Sequence, residues 1–184
     1  DELPEFDRKV LEVLREPLES GEIVIARAAE RLRFPARFQL VAAMNPCPCG
    51  YLGDAAGRCR CTPEQVQRYR NKLSGPLLDR IDLHVTVARE ITQLAPAQAE
   101  PLTSRHAAEQ VARARQRQHA RQGCANAFLD LPGLRRHCAL ADDDRQWLET
   151  ACERLGLSLR AAHRLLKVAR TLADLEDSER IARQ

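Results

Sequence analysis

Apolar positions in this chain change their spacing along its length, and the changes divide it. Val10, Leu11, Val13, Leu14 and Leu18 recur at the interval of an amphipathic helix, which Gly21 stops. Ile23 to Ala26 and Leu32 to Phe34 are short strand-like runs that predict a hairpin rich in arginine, carrying Arg27, Arg31, Arg33 and Arg37. Phe38 to Ala43 is an unbroken apolar run, as in a strand buried on both faces, and Leu83, Val85 and Val87 alternate as in a further strand. Thr62 and Pro63 suit the N-cap and first turn of a helix through Asn71, and Ser74-Gly75-Pro76 punctuates before Leu77 to Ile81. Residues 92–102 shift to Ala, Pro and Gln, the composition of a linker. Beyond them every run has helical period: Ser104 to Gln122, Asp142 to Leu155 and Ser158 to Leu175.

Strands and helices before the linker and helices alone after it predict an α/β piece, residues 1–91, followed by an all-α piece, residues 103–184. The first has too few strands for a complete sheet and reads as the back half of one. A length of 184 residues leaves room for two such parts. The net charge of +3 is too mild to argue for nucleic acid by itself, so local clustering must carry that case. No signal-peptide pattern opens the chain, and its apolar stretches fall well short of the roughly 20 residues that span a bilayer. The expectation is a soluble, cytoplasmic protein without a membrane partner.

Seven cysteines are an odd number, and four of them form the tight pairs Cys47-x-Cys49 and Cys59-x-Cys61. Next-but-one cysteines bridge each other poorly, whereas paired thiolates suit a soft metal ion. Gly50, Gly53 and Gly57 make the loop between the pairs flexible enough to fold both onto one tetrahedral ion. Four thiolates close the shell of zinc, so the insert at residues 46–62 reads as a structural site. Four free or redox-active thiols are the alternative. His84 is expected to be solvated, and Cys124, Cys138 and Cys152 to be small buried hydrophobes.

Other polar residues stand beside buried-looking sequence. Taken alone, Asp1-Glu2 reads first as the charged first turn of a helix; a short strand running into such a pair is also how one carboxylate is supplied for Mg2+ and a second for polarising water. Asn45 ends the Phe38 to Ala43 run, where an amide can orient a water or a phosphate, although Asn45-Pro46 is also a plain turn. Arg80 lies in Leu77-Leu78-Asp79-Arg80-Ile81-Asp82 and reads either as a surface ion pair with a neighbouring Asp or as a guanidinium offered to another subunit's nucleotide. On the helix from Ser158, Leu159, Ala162, Leu166 and Ala169 are expected to face a core and Arg160, Arg164, Lys167 and Arg170 to be more exposed. That basic face is either solvated or a DNA-recognition helix.

With Asp1-Glu2, Met44-Asn45-Pro46, Leu77-Leu78-Asp79-Arg80 and Ser158-Leu159-Arg160-Ala161 in this order, the whole chain resembles the magnesium-chelatase-like AAA+ ATPases. The cysteine insert narrows the resemblance to the ComM/YifB branch. The resemblance implies the C-terminal half of an AAA+ P-loop αβα core and an all-α lid domain. It implies that Asp1 is the Walker B magnesium residue, Glu2 the hydrolytic glutamate, Asn45 sensor 1, Arg80 the arginine finger and Arg160 sensor 2. Also implied are ATP and Mg2+ as cofactors and a ring of identical subunits, a hexamer, that moves branched or single-stranded DNA during recombination and natural transformation. Arg27, Arg31 and Arg33 would then grip phosphates in the ring channel, with Arg113, Arg115, Arg117 and Arg121 as a second surface; solvated faces are the alternative for both.

No G-x-x-x-x-G-K-[ST] occurs, so the chain is expected to hydrolyse no ATP by itself and to be the C-terminal part of a longer protein, starting inside Walker B. Two other functions stay open. One is a chelatase-type motor subunit for metal insertion into a porphyrin, which the cysteine insert disfavours. The other is a zinc-stabilised binding module with no ATPase role.

Overall fold

A computed structural model describes residues 1–27, 30–87 and 103–182. The chain divides into two units, residues 1–89 and 90–184. The expected linker at 92–102 lies outside the described residues.

The first unit opens with a 3-10 turn, Leu3–Glu5, followed by α1, Arg8–Val13, and α2, Arg15–Ser20. Asp7 caps α1 by accepting the Lys9 N–H at 2.7 Å. The single helix expected here is broken at Leu14, because Pro17 has no N–H to donate and its ring crowds the carbonyl of Val13. Gly21 ends α2 in the left-handed region, φ 71°, and a side chain there would press within 2.9 Å of Arg37 Cγ. Glycine is therefore required twice over, by backbone and by space.

The predicted hairpin is present as β1, Glu22–Arg27, and β2, Glu30–Pro35, paired antiparallel. Ile23 sits opposite Phe34 and Ile25 opposite Leu32, so these four side chains share one face; Val24 with Arg33 and Ala26 with Arg31 share the other. Thr62 caps α3, Pro63–Arg70, in a full capping box: Gln65 N–H donates to the Thr62 hydroxyl and the Gln65 side chain accepts from Thr62 N–H. Ser74 caps the single-turn α4, Gly75–Leu78. Leu3, Leu11, Leu73 and Leu77 form the core of this unit, with Leu14, Leu18 and Leu78 packed around them. Leu11 and Leu77 are fully enclosed, and replacing either by Ala would cost about 2–5 kcal/mol.

Two strand expectations are corrected. Phe38–Ala43 and Leu83–Val87 belong to no sheet among the described residues, which contain only the two-stranded β1–β2 ribbon. Val41 is 83% exposed, the reverse of burial on both faces, and Leu83, Val85 and Val87 are all exposed where their alternation predicts one covered face. An apolar run becomes a buried strand only when neighbours take its backbone groups and cover its sides. Here the described residues supply one such bond, Leu3 N–H to Ala43 O at 3.0 Å.

The second unit is helical: α5, Ser104–Gln122; a 3-10 turn, Asn126–Phe128; α6, Leu131–His137; α7, Asp142–Leu155; and α8, Leu159–Leu175. Leu129, Leu134 and Cys138 make its apolar core, with Cys124, Leu166 and Ile181 against them. Beside that core lies a buried polar cluster. Asp174, 1% exposed, takes two bonds from Arg121, at 2.6 and 2.9 Å, and one from Asn126 at 2.8 Å. Arg170 completes it at 3.1 Å and donates to the carbonyls of Glu179 and Ser178, which turns the chain after α8 back onto the helix. Arg170 is thus buried, not exposed as its place in a basic run suggests, and Leu159, expected to face the core, is exposed. Among the described residues, no helix is long and apolar enough to cross a membrane.

Candidate functional site

The Leu3–Ala43 backbone bond ties the residue after Asp1-Glu2 to the residue before Met44-Asn45. Glu2 accepts a left-handed backbone, φ 52°, at the mouth of the 3-10 turn, an unusual state for a residue with a Cβ. Its N–H bonds to Asp1 Oδ1 at 2.9 Å, and its carbonyl accepts the Glu5 N–H at 2.8 Å. Backbone strain of this kind is found where a side chain has to be aimed.

Tyr69 of α3 joins these segments. Its hydroxyl is raised above the usual range first by burial; the Asn45 N–H, donating to it, pulls back part of the rise, and the charges of Glu5, Cys47 and Glu2 add to it. Tyr69 therefore stands among Asn45, Glu2 and Cys47. Motif reasoning does not single it out. The available signal is the apolar stripe Val66, Tyr69 and Leu73, which marks the inner face of α3.

The cysteine cluster begins two residues after Asn45. Cys47 is buried, and its Sγ lies 3.4 Å from Cys49 Sγ and 3.8 Å from Cys59 Sγ, with Cys49 and Cys59 at 3.7 Å. All four sulfurs, Cys61 included, lie within 4.8 Å of one another. Sulfurs placed at about 2.3 Å around a tetrahedral zinc are roughly 3.8 Å apart, while a disulfide brings them to about 2.05 Å. The spacing fits a shared soft cation. The N–H groups of Tyr51 and Arg60 pull the Cys49 thiol down to about 6, while its crowded neighbours leave Cys59 raised and Cys61 pushed up to about 12, as expected of four thiols that cannot all ionise without a cation among them. Gly50, at φ 77°, donates its N–H to Cys47 O at 3.0 Å, folding the loop tightly enough to pass beside the Asn45 side chain. Asp54 and Arg58 close the far side with two 2.8 Å bonds, the guanidinium stacked 4.6 Å above the Tyr51 ring.

The other predicted residues lie elsewhere. Arg80 follows α4 and bonds to Pro76 O at 2.6 Å and to the carboxylate of Glu19, 61 positions away, where the sequence offers only the adjacent Asp79 and Asp82. Arg160 is exposed in the first turn of α8, after the Ser158 cap, and belongs to the second unit. Strand register divides the hairpin arginines: Arg31 and Arg33 share a face, whereas Arg27, opposite Glu30, points to the other. On α5, Arg113 and Arg115 are exposed, but Arg117 pairs with Asp177 and Arg121 with Asp174, so only part of that row faces solvent.

Comparison with known proteins covers both units. The family described as magnesium chelatase, subunit ChlI, matches residues 1–94, and its C-terminal family matches residues 101–184. Over 185 residues the chain is 49% identical to the uncharacterized protein YifB of Escherichia coli, covering 100% of this chain and 36% of YifB. It is 50% identical to the competence protein ComM of Haemophilus influenzae, covering 98% of this chain and 35% of ComM. The chain thus spans little more than a third of the relatives it matches. It belongs to the magnesium-chelatase ChlI family, alongside YifB and ComM.

Proposed function

We propose that this chain is part of an ATP-driven ring motor of the AAA+ type, a hexamer that remodels branched or single-stranded DNA as in branch migration. The observation that supports the reading is the Leu3–Ala43 backbone bond, which ties the segment that follows Asp1-Glu2 to the one that leads into Asn45. The name of the competence protein ComM supports the choice of DNA as partner.

In this reading Mg-ATP supplies the γ-phosphoryl group and the leaving diphosphate. Asp1 would hold the cation, and the Glu2 carboxylate would polarise the attacking water. Asn45 orients that water, its backbone held by Tyr69. Arg80 serves the nucleotide of a neighbouring subunit, where a guanidinium stabilises transition-state charge. Arg160 reports the nucleotide to the helical unit. The four cysteines hold zinc as a structural clamp and take no part in the chemistry. No phosphate-cradling G-x-x-x-x-G-K-[ST] occurs in the sequence, so hydrolysis is a property of the longer protein.

Replacing Glu2 by Gln in the full-length protein is expected to abolish DNA-stimulated ATP hydrolysis while nucleotide binding persists. Turnover that survives this change would remove Glu2 from the mechanism. The family description favours a second reading, a motor subunit for metal insertion into a porphyrin. ATPase activity that responds to DNA and not to porphyrin separates the two.

A further inference from the structure

Arg80 is folded back on its own subunit. Its Nη1 bonds to the carbonyl of Pro76, four residues earlier on α4, its Nη2 to the Glu19 carboxylate at the end of α2, and its Nε is buried with no hydrogen-bond partner. Only 19% of its side chain is exposed, against 40% for Glu19. The two residues border a cleft of about 380 Å³ that is also lined by Glu12, Arg15, Glu16 and Ser20. Within it Arg15 is bonded to Glu12 at 2.5 Å and Arg80 to the carboxylate of Glu19.

A guanidinium in this position cannot serve charge developing on another subunit. Both of its Nη atoms are bonded to groups of its own chain, and its charge is neutralised by one of them, the Glu19 carboxylate. The state is also imperfect, because a buried N–H without an acceptor has lost its water and gained nothing in return. Glu19 is what offsets that loss.

Resting on the reading of Arg80 as a residue that serves a neighbouring nucleotide, we infer that Glu19 is a positioning residue that holds Arg80 retracted, and that exchange of Glu19 for the phosphate of a neighbouring subunit's nucleotide is part of each catalytic cycle. One carboxylate is traded for another anion, so the guanidinium is never left without a partner. The ion pair therefore contributes to the barrier for delivering Arg80 and leaves the affinity of the subunit for its own nucleotide untouched.

The experiment is steady-state ATP hydrolysis by the full-length, assembled protein carrying Glu19→Gln, Arg80→Ala or both. Glu19→Gln keeps the shape and removes the charge; it is expected to raise kcat about twofold to fivefold, the range of a partly exposed ion pair, with KM for ATP unchanged. Arg80→Ala is expected to lower kcat by at least about 10²-fold, within the roughly 10³ to 10⁵ of arginine fingers or just below it. In the double variant the gain from Glu19→Gln should vanish, which a merely structural role for Glu19 would not produce. Hydrolysis lost in Arg80→Ala but unchanged or lowered in Glu19→Gln overturns the role of Glu19 alone. Full hydrolysis by Arg80→Ala overturns the reading of Arg80, and the inference with it.

Discussion

Asp174 and Arg121, 53 positions apart, meet inside the second unit through two near-parallel hydrogen bonds of 2.6 and 2.9 Å. Burial alone would push the Asp174 carboxyl up. The Arg121 and Asn126 bonds and the charge of Arg170 outweigh burial and hold it below its ordinary 3.8.

A depressed carboxyl gives stability that is fully present above the unfolded value and is lost as pH falls through the folded one. Thermal unfolding of the second unit should therefore be flat near neutrality and drop below about pH 4. Asp174→Asn should remove that acid dependence and destabilise the unit by about 3–5 kcal/mol at pH 7, because Arg121 and Arg170 are left facing each other. Trp147, the single tryptophan, lies in this unit, so its fluorescence during unfolding at a series of pH values reads the effect. An unchanged acid limb in Asp174→Asn would assign it to another group.

The thiol cluster should hold one zinc per chain, measurable by elemental analysis of the purified protein. Cobalt substitution should produce the charge-transfer bands of a tetrahedral tetrathiolate. Cys47→Ser is expected to lose the ion and to loosen residues 46–62 in hydrogen exchange, while unfolding followed at Trp147 stays unchanged. Retention of a full equivalent of metal by Cys47→Ser would place the ion elsewhere.

DNA binding by the full-length protein should fall with salt, and the hairpin face bearing Arg31 and Arg33 should carry part of the slope. Replacing both by Ala is expected to lower the slope of log K against log salt by about 1.4, near 0.7 for each single-strand phosphate that is no longer neutralised. Arg27→Ala, on the opposite face, should leave it nearly unchanged. Equal effects from the two faces would argue that the ribbon does not present its arginines to DNA in this way.

Local signals are legible in the sequence. Thr62, Pro63 and Gln65 announce a capping box, and the paired cysteines announce a cluster of thiols, because each depends on residues a few positions apart. The hairpin follows from strand-like runs on either side of small and charged residues. What the sequence hides depends on distant partners. Arg170 reads as solvated because an arginine in a basic helix usually is, and nothing local pairs it with carbonyls beyond α8. Phe38–Ala43 reads as buried because its residues are apolar, yet burial belongs to whatever covers a segment. Arg80 stands out by its motif, but Glu19 is invisible at 61 positions' distance.

The pairing of β1 with β2 also sets a rule for how the ribbon can vary. Its rungs alternate between Ile23–Phe34 and Ile25–Leu32 on one side and Val24–Arg33 and Ala26–Arg31 on the other. A slip of one position would carry the arginines to the apolar side and the isoleucines to the basic one. Length changes within either strand are therefore tolerable only in even steps, so among relatives the parity of an insertion, more than its composition, should indicate whether the basic face has been kept.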